Sequence, residues 1–600
     1  QGITSAADAL RQVPGLSIVQ TGSYGGTTSL FIRGGESKYA KVLVDGIPVN
    51  DAGGAYDFST LTTDNIDRIE IVRGPASVLY GSDAMAGVVQ LFTRSGAGRP
   101  HLEAMARGGS AGSYDADLAL RGSGDAVSFS LAGARHATNG IQLFNSGFTQ
   151  SVGSGMLGWH RGAAELRATA RYHDNAFHFP TNGSGQVVDS NAVRREGRLA
   201  VGVDGGYRLT PALNVHLVLA SHDIHAATDD QPDSPGDTKG YYYSTDDRSR
   251  RRSGDLRVAV ALPAATEITL GGRVENEWQS TLTNSNFGKG TPASESRRTT
   301  GTYVQLLHTP AAPYTVALGA RLEHNERFGD FVTYRAASSV NLLEGTRLRA
   351  SIGTAFREPT FLENYGSAFV IGNRELTPEH ALSVDAAVEQ KVAEWGTISA
   401  TYFANSFRDL IDYTYSKTEP NYFNLARTRA AGAEFEGRVA LPVGIRFDAA
   451  FTYLETRVVD RGTSTSATAA FSPGARLLRR PMRSADLGLG YRASRAGLEL
   501  RAHHTGARDD VYFTPEFTSA RVTLPRYTRY DMAADATVLP PSVAVGAIVA
   551  TIRVENLFDA QYSDVAGFNY DFGRTDVASL GQTGYRAPGR RVLVGARMSF

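Results

Sequence analysis

The segment Asp229-Asp-Gln-Pro-Asp-Ser-Pro-Gly-Asp237 gathers four carboxylates, Asp229, Asp230, Asp233 and Asp237, and Asp246 and Asp247 follow. Hard oxygen ligands on an outer loop suit calcium, although no EF-hand spacing is present and a solvated acidic loop has the same composition. Structural calcium is therefore an expectation, and no other cofactor is required. His173, His178, His222 and His225 fall near the ends of expected loops and read as polar surface groups rather than axial ligands of a haem. Catalytic chemistry finds no support. Gly81-Ser-Asp83 lacks the strand–Gly-x-Ser-x-Gly–helix context of a nucleophile elbow, and the glycine-rich stretches lack the Lys-Ser/Thr of a phosphate loop. The absence of cysteine removes thiolate nucleophiles, disulfides and Cys-based zinc sites. A formal net charge of +0 gives no global attraction to nucleic acid. We expect a protein that is not an enzyme.

The elements that would position any binding residues form two textures. From His101 to Phe600, segments of about ten residues alternate apolar with polar side chains. Glu165-Leu-Arg-Ala-Thr-Ala-Arg-Tyr172 and Ile445-Arg-Phe-Asp-Ala-Ala-Phe451 are examples. Connections alternate between short turns, such as Thr210-Pro211, Glu344-Gly345 and Pro442-Val-Gly444, and long polar stretches such as 174–196 and 557–588. No apolar run is long enough for a spanning helix, but a barrel strand shows lipid only at every second residue. Pairing each strand with its neighbour predicts a membrane all-β fold, an antiparallel transmembrane β-barrel of about 22 strands. The terminal segment Arg591–Phe600 has apolar residues at 592, 594, 596, 598 and 600, as a lipid-facing closing strand requires.

Residues 1–98 read instead as a small α+β unit, leaving 99–600 to the barrel. Ser5-Ala-Ala-Asp8 has the look of a helix N-cap with an acid in the first turn, and the helix should stop before Pro14-Gly15. Ser29–Arg33, Val42–Asp45, Ile66–Val72 and Val88–Phe92 are expected strands, and Gly96–Pro100 an expected linker.

Residues 14–94 carry a series of motifs: Pro14-Gly-Leu-Ser-Ile-Val, Phe31-Ile-Arg-Gly34, Val42-Leu-Val-Asp-Gly46, Ile69-Glu-Ile-Val-Arg-Gly-Pro75, and Leu79-Tyr-Gly-Ser-Asp83 with Gly87-Val-Val. In order and spacing this resembles the plug domain of TonB-dependent outer-membrane transporters. Phe356-Arg-Glu-Pro359, Glu375-Leu-Thr-Pro-Glu379, Gly432-Ala-Glu-Phe-Glu436 and Val554–Asp559 extend the resemblance into the barrel. The stretch Gly15–Gly34 and Leu478-Arg-Arg-Pro481 are similar to the cobalamin-receptor branch. Family members carry a first plug strand and a TonB box before the helix; neither is visible after Gln1, and truncation is the expected reason.

The resemblance implies an energy-coupled receptor in the outer membrane of a Gram-negative-type bacterium. Its plug would be gated by a TonB-type inner-membrane complex, its wall would face outer-membrane lipid, and it would act as a monomer. The implied cargo is cobalamin or a related corrinoid. A ferric-siderophore receptor of the same family is the alternative, and a surface binding or adhesion barrel that does not transport is a reading of another class. A haem cargo is disfavoured, because no histidine lies between Phe356-Arg-Glu-Pro359 and Asn373-Arg-Glu-Leu376. Two plug arginines meet two barrel acids in the family, and the motifs place this ionic latch at Arg33, Arg73, Asp385 and Glu434. Asp385 stands where Glu is more usual, one methylene shorter. Ligand contact is implied for two plug loops, at Thr21, Tyr24, Thr27, Thr28, Asn50 and Tyr56. Glycines there allow close approach, and the tyrosines offer flat faces.

Overall fold

A computed structural model describes residues 2–181, 187, 189–234, 242–286, 288–310, 313–367, 370–413, 418–461, 472–513, 519–540, 546–566 and 585–600. Twenty-two long antiparallel strands run from His101–Gly109 to Arg591–Ser599, each bonded to the next barrel strand along the chain. The two-residue Gly288–Lys289 is a side branch on Thr266–Ser285. Arg591–Ser599 pairs with His101–Gly109 and closes the cylinder. Phe600 N donates to Leu102 O at 2.8 Å at the seam.

The alternation that predicts strands also decides which side meets lipid. Along Val193–Thr210, Leu199, Val201 and Val203 are exposed on the outer wall, whereas Glu196, Arg198 and Ala200 are 5% exposed or less. Apolar side chains thus point out and polar ones in, the inverse of a soluble sheet. Leu157, Leu219, Leu270, Leu318, Leu322 and Val594 continue the outer surface. Tyr243–Leu262 and Thr266–Ser285 have 20 residues each. At ~3.3 Å per residue such strands measure ~66 Å, a rise of ~50 Å at a tilt of about 40°, against the ~30 Å hydrocarbon layer, so the wall rises beyond the membrane on the side of the long connections.

Residues 2–93 fill the lumen. A four-stranded sheet runs in the order Ile47–Pro48, Ala40–Val44, Gly87–Thr93, Ile66–Arg73, with Ala40–Val44 parallel to Gly87–Thr93. A hairpin of Leu16–Gln20 and Thr28–Ile32 lies beside it, with short helices at Ala6–Leu10 and Ser77–Tyr80. The four expected plug strands form within two residues of their predicted ends. Ser5 precedes the first helix but makes no side-chain capping bond. One apolar cluster joins plug residues Leu30, Val42, Phe58 and Val89 to wall residues Phe403, Phe407 and Ala430. That continuity fixes the small unit inside the cylinder. The last plug strand ends at Thr93 and the first wall strand begins at His101.

Leu219 is 51% exposed, on the outer face of Leu213–Asp230. Leu219→Arg should lower barrel stability in bilayers by about 2–4 kcal/mol, read by urea unfolding. An unchanged midpoint would mean that this face does not meet lipid.

Candidate functional site

One junction of plug and wall is built on a buried carboxylate. Arg33 donates from Nε and Nη2 to the two oxygens of Glu434, each at 2.8 Å, and Arg73 Nη1 reaches Glu434 Oε2 at 2.9 Å. The side chains of Arg33 and Glu434 are only 4% and 2% exposed. Local sequence builds the seat. Gly15 has φ +80°, and a Cβ there would fall 2.0 Å from Glu434 Oε1, so only glycine leaves the acid room. Gly15 N donates to Thr452 Oγ1 at 2.7 Å, while Gly15 O accepts from Arg33 N at 2.8 Å. Arg33 itself has φ 46°, the left-handed region that a non-glycine residue enters at a cost. Its guanidinium lies 4.8 Å from the centre of the Phe403 ring.

Asp385 does not join this cluster. Its carboxylate accepts from Ser351 Oγ, and among the described residues no Arg or Lys nitrogen lies within ion-pair distance of it. The shorter side chain stays against its own wall, so the expected four-residue latch is, in this geometry, two arginines on one glutamate. Glu436 stands 3.8 Å from Arg73 and is the nearest further acid.

A second junction involves residues for which the sequence suggested no role. Arg357, fully buried, donates to Gly53 O of the plug at 3.0 Å, to Glu363 at 3.0 Å and to Glu379. Tyr39 of the plug donates to Glu379 at 2.8 Å, and Lys38 pairs with Glu363 at 3.1 Å. Glu363 belongs to the outer helix Phe361–Tyr365, where it closes a capping box with Thr360. Burial would raise its pKa, but Arg357 and Lys38 outweigh burial and hold it at about 2. Arg480, from the Leu478-Arg-Arg-Pro481 motif, makes a third contact. It lies 4.1 Å from the Phe31 ring centre, 2.7 Å from Glu36 and 3.2 Å from Gly35 O.

At the outer end, the loop after Val49 meets a cavity of about 420 Å³ bounded by Asp51, Arg198, Tyr243, Glu295, Phe361 and Tyr365. Of the loop residues expected to touch ligand, Asn50 and Tyr56 are turned inward. Asn50 is 1% exposed: its Oδ1 accepts from Val42 N at 2.7 Å, and its Nδ2 donates to Ala40 O and Gly54 O. This amide braces the loop and has nothing left for a ligand. Tyr56 is buried edge-on to Phe58, with Arg198 5.3 Å from its ring centre, and burial pushes its hydroxyl up to about 12. Thr28 is also buried, donating to Gly26 O at 3.0 Å. Thr27 is exposed, and Thr21 and Tyr24 are half-buried. Tyr24 has the Arg591 guanidinium 4.7 Å from its ring centre. Asp51, which the sequence reading passed over, is the plug acid that reaches the cavity, paired with Arg198 at 2.8 Å.

In the acidic segment, Asp229 accepts from Gln231 and Asp233 from Ser190 N at 2.8 Å, beside Asp230; Asp237 lies outside the described residues. Among the described residues no three His, Asp or Glu side chains are grouped to hold a metal. His173 and His222, expected at the surface, are buried in the lumen at 7% and 3% exposure, because strand parity points them inward.

Two family descriptions match the chain: "TonB-dependent Receptor Plug Domain" over residues 1–88 and "TonB dependent receptor-like, beta-barrel" over 98–557. The chain belongs to the TonB-dependent receptor family. Among solved structures, the copper transporter OprC superposes with TM-score 0.80 at 15% identity, over 99% of this chain and 95% of that one. The ferric enterobactin receptor PfeA of Pseudomonas aeruginosa superposes with TM-score 0.78 at 17% identity, over 100% and 97%. The ferric citrate transporter FecA gives TM-score 0.79 at 16% identity, over 100% and 95%. The protein is therefore a transporter rather than an enzyme, resident in the outer membrane of a Gram-negative bacterium. Membership carries coupling to TonB and a small-molecule ligand.

Glu434→Ala strands two guanidiniums in a buried site and should cost the plug about 3–5 kcal/mol, measured as earlier plug unfolding and raised leak conductance in planar bilayers. Gly15→Ala should do the same by displacing the acid, with Arg33 unchanged in sequence. The depressed pKa of Glu363 makes its tie to the plug complete above its ordinary value of 4.5 and lost as pH falls towards about 2. Hydrogen exchange across 361–365 should accelerate over that window, and exchange independent of pH after correction for intrinsic rates would refute the tie.

Proposed function

We propose that the protein captures a bulky, scarce metal chelate of the ferric-siderophore class at its outer cavity and admits it when TonB displaces the plug. The observation that carries this reading is the cavity of about 420 Å³ set above a lumen whose plug is tied to the wall by buried ion pairs. That volume falls within the usual range for small-molecule sites, about 300–1,000 Å³. Ion-paired arginines and acids with Tyr243, Phe361 and Tyr365 offer hydrogen bonds and flat faces together. Similar structures described as receptors for ferric enterobactin and ferripyoverdine support the ligand class.

Buried ion pairs suit the gating step. Their Coulomb energy is largely cancelled by the desolvation of both partners, so they fix geometry while adding little net stability. A plug held in this way keeps its register at rest and yields to a pull. The charges it leaves behind are rehydrated as water enters the opened lumen.

A corrinoid such as cobalamin is a second reading, favoured by the ungapped similarity of Gly15–Gly34 and by Leu478-Arg-Arg-Pro481. Structural calcium at Asp229, Asp230, Asp233 and Asp237 belongs with that reading. A barrel that binds at the surface without transport would need none of the plug's ties.

Detergent-solubilised protein mixed with ferric enterobactin or with cyanocobalamin should co-elute with the colour of its own ligand. Replacing Phe361 and Tyr365 together by Ala should weaken that binding by about tenfold. Import into cells should require TonB; import that persists without TonB would refute the proposal.

A further inference from the structure

Many lumen arginines of this barrel carry their own counter-charge. Side chains two residues apart on a strand share a face, and the chain exploits this by pairing Arg198 with Glu196 at 2.6 Å, Arg273 with Glu275 at 2.5 Å, Arg529 with Asp531 at 2.6 Å and Arg553 with Glu555 at 2.9 Å. Elsewhere the partner lies on another strand, as for Arg107 with Asp115 and Arg251 with Glu277, or is plug backbone, as for Arg171 with Thr62 and Asp64; at one place several arginines lie together with neither arrangement. Arg335 is flanked on its face by Thr333 and Ala337, and Arg347 by Gly345 and Arg349. Among the described residues neither Arg335 nor Arg347 has a carboxylate within ion-pair distance, and Arg349 has only Glu389, at 3.7 Å.

These three arginines face one cavity of about 380 Å³, together with Arg33 and Arg73 of the plug and a single acid, Asp385. The cavity lies beside the short turn Glu344-Gly345, at the end of the barrel opposite the long loops, and the plug strand Ile66–Arg73 forms its other side. Arg347 donates to Ser339 Oγ at 3.0 Å, while Arg33 and Arg73 are engaged by Glu434. The unmatched charge is therefore on Arg335 and Arg347. The outer cavity, by contrast, sets Arg194, Arg198 and Arg248 against Asp51, Glu196, Asp247 and Glu295.

We infer that this inner cavity is a binding site for a soluble oxyanion, carrying carboxylate or phosphate groups, on the periplasmic side of the plug. Guanidinium forks match the oxygens of such groups and bind them bidentately; Arg335 is half-buried within the cavity, and Arg347 and Arg349 are exposed at its mouth. The closed wall of strands separates these lumen-facing arginines from lipid headgroups. The inference goes beyond the import reading and does not depend on the cargo.

Labelled pyrophosphate is the probe, applied by equilibrium dialysis to the full chain in nanodiscs. Wild-type protein should bind about one equivalent. Arg335→Gln with Arg347→Gln should weaken binding at least roughly tenfold, and Arg335→Lys with Arg347→Lys should restore most of it. Arg161→Gln with Arg208→Gln, which removes two exposed charges near other short turns, should leave binding unchanged. Heat-modifiable migration on gels confirms that each variant forms a closed barrel. Absence of binding, equal weakening in the cavity and control variants, or loss of binding when phosphatidylglycerol replaces phosphatidylcholine in the discs would overturn the inference. Failure here leaves ligand capture at the outer cavity untouched, because that binding is read with a different ligand.

Discussion

One carboxylate shared by two guanidiniums organises the inside of this molecule. A lone carboxylate or guanidinium is costly in a packed interior, so Glu434 and Arg33 need each other there, and Arg73 adds a second, half-buried partner. Several otherwise unrelated features follow from this mutual need. Gly15 must lack a side chain, Arg33 must take a left-handed backbone, and the loop carrying Pro14 must turn where it does. The cluster therefore sets the depth and rotation of the plug, and the apolar contact with Phe403 and Ala430 completes the fit.

The wall obeys a different constraint. Every backbone donor and acceptor at membrane depth needs a partner, which a closed set of strands provides. Once the wall is closed, parity sorts side chains into an oily exterior and a charged interior. Interior charges must then cancel locally, and the repeated pairing of acids and arginines two residues apart accomplishes much of this within the wall, with plug acids such as Asp51 and Asp8 adding to it. Junctions between plug and wall are built from the same residue types, but with partners hundreds of positions apart.

That difference in range explains what the sequence made legible. Strand alternation, the short turns, the closing strand and the inserted unit are local patterns, and all appear as expected. Family motifs single out Glu434 and the two arginines, and the geometry brings these three together. Asp385 was not separable from them, because a difference of one methylene shows its effect only once both walls are in place. Asn50 and Tyr56 sit in a glycine-rich loop that suits ligand contact, yet a short amide and an aromatic ring serve equally well to brace such a loop from within. The inward direction of His173 was available from parity, since Tyr172 beside it is on the outer face. The Arg357 junction was not available, for nothing local links Lys38 or Tyr39 to acids more than three hundred positions later.

The brevity of the link between Thr93 and His101 has a mechanical consequence. Seven residues, 94–100, stretch to at most ~25 Å, so the end of the plug that carries Thr93 is on a tether shorter than the strands around it. However the passage opens, that end stays within ~25 Å of the barrel rim at His101. Return is then an intramolecular event with a high effective concentration, so the cork finds its seat again without searching for it.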